Sequence, residues 1–259
     1  MAYVRGRVHL PINPKYAYNS DEIVERAMQT INLFYHFGDN FDVNRICIDI
    51  PATWEGLEAC RLLEVHGIRT SATMAFNLPQ AILAGLNGCT YVSPYIDGTK
   101  LHDKTRSPDD DTTYVLCHDI KKYYQERNIK TKVMPGFLTA ADTVGKYSGI
   151  DNLVISSELL WELSTRTHIV LQKQFNKESQ SGTDVGTVEN PGPDLDMSVE
   201  NRAKNLIQFA NFDTRSGDAS DKDNLVCADK VKQIVSSLCV FQGKLEEMVK
   251  HEVAELQAQ

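Results

Sequence analysis

The sequence lacks the compact motifs that mark several common chemistries. It has no GxGxxG after a strand, no GxxxxGK[ST] and no HExxH, so the usual signatures of dinucleotide sites, P-loops and zinc peptidases are absent. Its six cysteines are scattered, without a CxxC pair or a short Cys/His ligand spacing. This scatter argues against zinc, and we expect neither a metal nor a cofactor.

Dense positive charge and long apolar runs are also lacking. The chain has 259 residues and a formal net charge of -8, and binding to nucleic acid or anionic membrane requires clustered positive charge. No apolar run approaches the roughly 18 residues that span a bilayer, including in the opening MAYVRGRVHLPINP. Thiols in apolar contexts suit a reducing compartment. We therefore predict a cytoplasmic protein with no nucleic-acid or membrane partner.

What the chain does contain is a regular alternation of short β-rich runs and helical patterns. Six runs are each followed by a helical pattern: GRVHLPI, RICIDI, RTSATMAF, TYVSPYI, KTKVMPGFL and NLVISS. Such alternation predicts an α/β fold with a parallel sheet, right-handed crossovers and an active face at the carboxyl ends of the strands. Ser20 is predicted to open the first helix, and Gly67, Gly88 and Gly149 to end later ones.

The organisation along the chain is that of one domain over residues 1–259. Residues 1–172 hold the six β/α units, and residues 173–197 form a long polar segment rich in Gly, Pro, Ser and Asp, typical of a loop. Residues 198–259 are predicted to form C-terminal helices at about 198–210 and 222–254, the second with a helical apolar stripe.

Two stretches resemble a known family. IPATWEGLEACRLLEVHGI, residues 50–68, and ATMAFNLPQAILAGLNGCTYVSPYI, residues 72–96, resemble motifs of the transaldolases and fructose-6-phosphate aldolases. The resemblance implies a (β/α) TIM-type barrel that transfers or cleaves a dihydroxyacetone unit through a Schiff base on a strand lysine. It also implies that two family strands have no counterpart before the first strand, leaving about six. We expect the open barrel edges to be covered by a homo-oligomer partner, the polar loop or a C-terminal helix.

The family's lysine position is occupied by Asp49, and a carboxylate forms no imine with a ketone. The resemblance places Arg7 where the family carries an acid that works with the lysine, and His9 where it often has Asp. Arg7 and Asp49 would then form a charge-inverted pair inside the barrel. Such a pair serves either acid/base chemistry or charge balance alone, since an unpaired buried charge is strongly destabilising.

Other positions of the resemblance supply the rest of a site. Thr73 matches a family threonine that helps to position the catalytic water, Ser93 matches the serine of the family's I-S-P-F motif, and Ser71 stands where asparagine is usual. The family's phosphate-binding arginines have no counterpart, which leaves Lys100 and Lys104 as partial substitutes that act as point charges. Asn77 completes the predicted substrate-binding set.

Three functions remain open from the sequence. The first is a diverged enzyme in which Asp49, with Arg7 or His9 and with Thr73, performs acid/base chemistry on a small carbonyl or polyhydroxy substrate without a covalent intermediate. The second is a catalytically silent scaffold that binds a partner. The third is an aldolase whose Schiff base has moved to Lys100 or Lys132. We favour the first because Arg7 and Asp49 look exchanged as a pair.

Overall fold

The computed structural model describes residues 6–36, 42–95, 112–136, 138, 140–166 and 219–257. The predicted polar loop 173–197 and helix 198–210 lie outside these residues. The elements are β1 Val8–Pro11, α1 Ser20–His36, β2 Ile46–Pro51, α2 Trp54–Val65, β3 Arg69–Ala75, α3 Leu78–Leu86, β4 Tyr91–Pro94, α4 Thr112–Glu126, β5 Lys132–Val133, α5 Ala141–Lys146, α6 Ser157–Thr165 and α7 Ala219–Gln257.

The strands form one parallel sheet in chain order, β1-β2-β3-β4-β5, which confirms the predicted α/β class. The sixth predicted run continues beyond β5 as a parallel segment and not as a full strand. Its Asn152 and Val154 amides donate to the Val133 and Pro135 carbonyls at 3.2 and 3.0 Å. A single bridge, Leu138 to Ile155, completes the contact before α6 begins.

The sheet curves strongly around its inner face. In a flat sheet β1 and β4 would lie about 14 Å apart, three strand spacings. The rings of His9 on β1 and Tyr91 on β4 instead have centroids 5.3 Å apart, and Arg7 donates to the Tyr91 hydroxyl at 3.0 Å. Residues of the first and fourth strands therefore meet across a concave surface, as they do in a barrel.

Strand β2 shows how the sequence divides the sheet into two faces. Ile46, Ile48 and Ile50 are buried and belong to the main hydrophobic core, which includes Leu57 and Leu63 of α2. Because side chains alternate along a strand, the residues between them point to the concave face. The hydrophobic core therefore lies between sheet and helices, and the polar side chains gather inside the curve.

The predicted helix ends at glycine are confirmed. Gly67, Gly88 and Gly149 follow α2, α3 and α5 with φ of 79°, 76° and 103°, a left-handed conformation that glycine adopts without a Cβ clash. Helix α1 begins at Ser20 as predicted, and the side chain of the preceding Asn19 caps it by accepting from the Glu22 amide at 3.1 Å.

Glu64, in the last turn of α2, joins the starts of β3 and β4. Its Oε1 accepts from the amides of Thr70 and Thr90 at 2.7 and 2.8 Å and from their hydroxyls at 2.8 and 2.9 Å. Its Oε2 pairs with Arg69 at 3.3 Å, and its side chain is only 8% exposed. This carboxylate therefore fixes two strands that carry inner-face residues immediately after Thr70 and Thr90.

The 39-residue helix α7 lies against the carboxyl-end side of the sheet. Val231 and Val235 pack in a small cluster with Ala17 and Met74, and Asn13 donates to Glu246 at 3.1 Å. This confirms the helix predicted at about 222–254. Among the described residues, no helix has the length and apolar character needed to cross a membrane.

We predict that Glu64→Ala lowers the free energy of unfolding by about 3 kcal/mol, because it leaves the Thr70 and Thr90 amides and hydroxyls without their acceptor. Urea denaturation measures the change. The matched control is Glu58→Ala on the same helix, a partly exposed residue paired with Arg61, which should cost no more than about 0.5 kcal/mol. Equal losses for the two variants would contradict the structural role given to Glu64.

Candidate functional site

A cavity of about 670 Å³ opens on the concave face of the sheet. Strands β1 to β4 and the segment after β5 supply its wall, and α7 supplies its roof. The residues that line it are His9, Pro11, Ile12, Asn13, Pro14, Asp49, Pro51, Ser71, Thr73, Met74, Ser93, Tyr95, Met134, Gly136, Val154, Leu238, Phe241, Gln242 and Leu245. The cavity thus lies where parallel α/β sheets place ligands.

The most polar part of the wall is formed by His9 and Asp49. His9 Nδ1 lies 2.7 Å from Asp49 Oδ1, and the two side chains are 26% and 24% exposed. Pairing of β1 with β2 brings them together: His9 lies opposite Cys47 in the register, and Asp49 follows two residues later on the same face. The carboxylate therefore orients the imidazole and leaves its Nε2 directed elsewhere.

Beneath this pair lies a buried cluster of Cys47, Tyr91 and Met134. Burial, and next the Asp49 carboxylate, raise the pKa of the Cys47 thiol well above its ordinary value. The free thiol is therefore protonated and unreactive at neutral pH.

Three donor atoms lie within 4.8 Å of one another in this part of the site: a nitrogen of His9, the sulfur of Cys47 and a carboxylate oxygen of Asp49. Among the described residues, these three form a group that could hold a metal.

Three serine and threonine hydroxyl groups also belong to the polar wall. Ser71, Thr73 and Ser93 all line the cavity, as the sequence predicted for a common site. Ser71 is fully buried, lies opposite Asp49 in the β2–β3 register, and its Oγ has no hydrogen-bond partner. A buried polar atom without a partner costs free energy, so Ser71 presents an unused donor and acceptor to any ligand beside Asp49.

The expected pairing of Arg7 with Asp49 is wrong. Arg7 is exposed at the start of β1, donates to Tyr91 and to the Asn44 carbonyl, and does not line the cavity. His9 takes its place beside Asp49 because strand alternation puts it two residues nearer the carboxyl end. Arg7 thus contacts the site through Tyr91.

Two further predicted residues, Asn77 and Lys132, do not line the cavity. The side chain of Asn77 accepts from the Gln80 amide at 3.0 Å and so caps α3. Lys132 is exposed at the first position of β5. Lys100 lies outside the described residues. Of the residues that the structure describes, no lysine or arginine lines the cavity.

Sequence reasoning missed Cys47, Tyr91 and the α7 residues of the roof. Cys47 and His9 are 38 positions apart, so a search for short ligand spacings does not connect them. The signal available was that Cys47 precedes Asp49 by two residues in a strand and shares its face. The roof residues lie in a helix that was predicted, but no periodicity indicates where a helix docks.

Comparison with known proteins gives consistent matches. A family model described as transaldolase/fructose-6-phosphate aldolase matches residues 1–209. A transaldolase of Chlamydia pneumoniae is 32% identical over 192 residues, which cover 72% of this chain and 58% of that protein. A transaldolase of Prochlorococcus marinus strain MIT 9312 is 29% identical over 178 residues, 66% of this chain and 52% of that protein. The chain spans little more than half the length of these curated relatives.

We predict that Ser71→Ala leaves the free energy of unfolding unchanged or raises it by up to about 1 kcal/mol, because the lost hydroxyl has no partner. Thr70→Val, the neighbouring buried change, removes the hydroxyl that donates to Glu64 at 2.8 Å and should cost about 1 kcal/mol. Urea denaturation of both variants tests the comparison. A loss in Ser71→Ala as large as that in Thr70→Val would show that Ser71 has a structural partner.

Proposed function

The chain belongs to the transaldolase/fructose-6-phosphate aldolase family, and from that premise we propose a diverged enzyme that performs non-covalent acid/base chemistry on a small carbonyl or polyhydroxy compound. These matches confirm the resemblance drawn from residues 50–68 and 72–96. The observation that carries the proposal is the 2.7 Å contact between His9 Nδ1 and Asp49 Oδ1 on the cavity wall. Asp49 stands where the resemblance places the family's lysine, so the proposed reaction needs no imine.

The His9–Asp49 pair has the arrangement of a general base and its orienting carboxylate. A carboxylate that accepts from one imidazole nitrogen holds the ring in place and leaves the other nitrogen to accept a proton. It also stabilises the imidazolium that forms when the base is protonated. In this proposal His9 Nε2 removes a proton from carbon or hydroxyl, and Asp49 holds the ring in position.

The cavity supports the proposed substrate class. Its volume of about 670 Å³ falls in the usual range for small-molecule sites. Ser71, Thr73 and Ser93 provide hydroxyl donors and acceptors, which match the hydroxyl and carbonyl oxygens of a polyol. Because no cationic side chain of the described residues lines the wall, an uncharged substrate suits it better than a sugar phosphate.

Arg7 has an indirect part in this proposal. Its guanidinium donates to the Tyr91 hydroxyl, and the Tyr91 ring packs against His9 at 5.3 Å between centroids. Arg7 therefore acts as a positioning residue that helps to fix the imidazole. The alternative of a relocated Schiff-base lysine lacks support among the described residues, because Lys132 is exposed and does not line the cavity.

Proton exchange on carbon tests the proposal without knowledge of the physiological substrate. The protein is incubated in D₂O with dihydroxyacetone, glyceraldehyde or fructose. Proton NMR should then show an enzyme-dependent loss of the signal of the proton α to the carbonyl. His9→Gln and Asp49→Asn should each lower the rate by about 10²- to 10⁴-fold, the usual contribution of a general base.

The matched control is His66→Gln, an exposed histidine whose Nδ1 contacts the Leu62 carbonyl, and it should exchange at the wild-type rate. Circular dichroism of each variant shows that the fold is retained. If the wild-type protein does not raise the exchange rate of any of the three compounds above the uncatalysed rate, the proposal is contradicted and the catalytically silent scaffold is favoured. Full activity in Asp49→Asn would contradict it as well.

We also propose that the chain forms a homo-oligomer through α7. This helix carries exposed apolar side chains on one face, interrupted by Glu252, of which the first two also line the cavity: Phe241, Leu245, Met248, Val249, Val253 and Leu256. Lys244 and Glu255 lie eleven positions apart on the same flank of this face. A second copy packed antiparallel would therefore place each Lys244 opposite the partner's Glu255, the self-complementary contact that a two-fold dimer requires.

Light scattering after gel filtration tests this self-association. We expect a dimer that Met248→Lys converts to a monomer, while Val65→Lys, an exposed apolar position on α2, has no effect. Lys244→Glu should weaken the dimer, and the added Glu255→Lys should restore it. A wild-type protein that stays monomeric at high concentration would contradict the proposal.

A further inference from the structure

Three different donor atoms converge on the inner face of β1 and β2. His9, Cys47 and Asp49 each place one ligand atom within 4.8 Å of the others, a nitrogen, a sulfur and an oxygen. The arrangement follows from the strand register, in which His9 lies opposite Cys47 and Asp49 shares the face of Cys47. All three donors are therefore carried by strands of the sheet and not by loops.

We propose that His9, Cys47 and Asp49 bind a divalent transition-metal ion of the zinc class. Carboxylate and water alone suit magnesium or calcium, whereas a thiolate with an imidazole selects softer ions such as zinc or cobalt. Three protein ligands with a fourth position left open is the composition of catalytic zinc sites. The donor set and the ligand number therefore indicate the same class of ion.

The distances allow such an ion with small side-chain movements. Donors around a tetrahedral zinc lie roughly 3.3–3.7 Å apart, given zinc–ligand bonds of about 2.0–2.3 Å. In the structure His9 Nδ1 and Asp49 Oδ1 are 2.7 Å apart, and the ligand atoms of His9, Cys47 and Asp49, called the triad below, are at most 4.8 Å apart. The two partly exposed side chains line the cavity and give an ion its path of entry, and the buried Cys47 closes the site from behind.

Charge and hydrogen bonding support the same conclusion. A Cys47 thiolate and an Asp49 carboxylate together carry two negative charges, which a divalent ion neutralises after the thiol proton passes to solvent. Ser71, opposite Asp49 in the register, has a fully buried Oγ with no partner and lines the same cavity. A water on the open metal position would give this hydroxyl its missing hydrogen bond.

This inference deepens the proposed function and rests on it only for the use of the metal, since binding requires no reaction. A divalent ion at the cavity wall would polarise a substrate carbonyl as a Lewis acid. The direct His9–Asp49 contact belongs to the metal-free protein, because both side chains become ligands when the ion binds. His9 and Asp49 therefore hydrogen-bond to each other in the metal-free protein and act as ligands in the metal-bound protein.

Cobalt titration of chelator-treated protein under nitrogen provides the test. One Co²⁺ per chain should bind, with the near-ultraviolet thiolate-to-cobalt absorption and the intense visible bands of a tetrahedral site, and Zn²⁺ should displace it. Cys47→Ser should lose the thiolate band. His9→Gln and Asp49→Asn should each lower the affinity by at least about 10-fold, since even partners that only hydrogen-bond to ligands contribute that much.

The matched control is Cys239→Ser, a partly exposed thiol on α7 that should keep the full cobalt spectrum. If Cys47→Ser does not fold, X-ray absorption of the zinc-loaded wild-type protein decides, with one sulfur expected at about 2.3 Å. No cobalt binding, a thiolate band that persists in folded Cys47→Ser, or zinc without a sulfur ligand would overturn the inference.

Deuterium exchange on the same samples separates this inference from the proposed function. Exchange by chelator-treated protein that binds no cobalt would overturn the metal site and leave the acid/base pair standing. Cobalt bound at the triad, with no exchange in either form, would support the metal site and overturn the proposed reaction.

Discussion

A carboxylate on the inner face of a parallel sheet needs a partner, and Asp49 is the residue that imposes this need. Its side chain is only 24% exposed, so a partner at hydrogen-bond distance replaces contacts with water that the fold removes. His9 is that partner at 2.7 Å, its ring packs on Tyr91, and Tyr91 is held by Arg7. One carboxylate on β2 thus connects residues of β1 and β4 and ties the site to the curvature of the sheet.

Much of the fold was predictable because it depends on local patterns. Short apolar runs such as Ile46–Pro51 alternate with helical stretches, and Gly67 and Gly88 end two helices with the positive φ that favours glycine. These features depend on neighbours within a few residues. The sixth unit was less predictable, since Ile155 forms only a single bridge and the strength of a pairing depends on contacts far along the chain.

The site was predictable only as a set of residues that share a face. Periodicity placed Arg7 and His9 on one side of β1 and Cys47 and Asp49 on one side of β2, but it does not fix how far one strand slides along the next. That register decides whether Asp49 meets Arg7 or His9. The structure sets Val8 beside Ile46, so His9 meets Asp49 and Arg7 is left to contact Tyr91.

The two proposals describe alternative forms of one site, in which His9 and Asp49 act as base and orienting carboxylate without a metal and as ligands with one. A Schiff base on a lysine assists carbonyl chemistry because the imine withdraws electrons from the adjacent carbon, and a carboxylate at position 49 supplies no such electron sink. Without an electron sink, a general base must remove a proton from carbon whose acidity has not been increased. A divalent ion held by His9, Cys47 and Asp49 would restore an electrophile beside the position that the lysine would occupy, and would do so without an arginine or lysine in the described wall of the cavity. The replacement of lysine by aspartate would on this argument exchange one means of polarising a carbonyl for another.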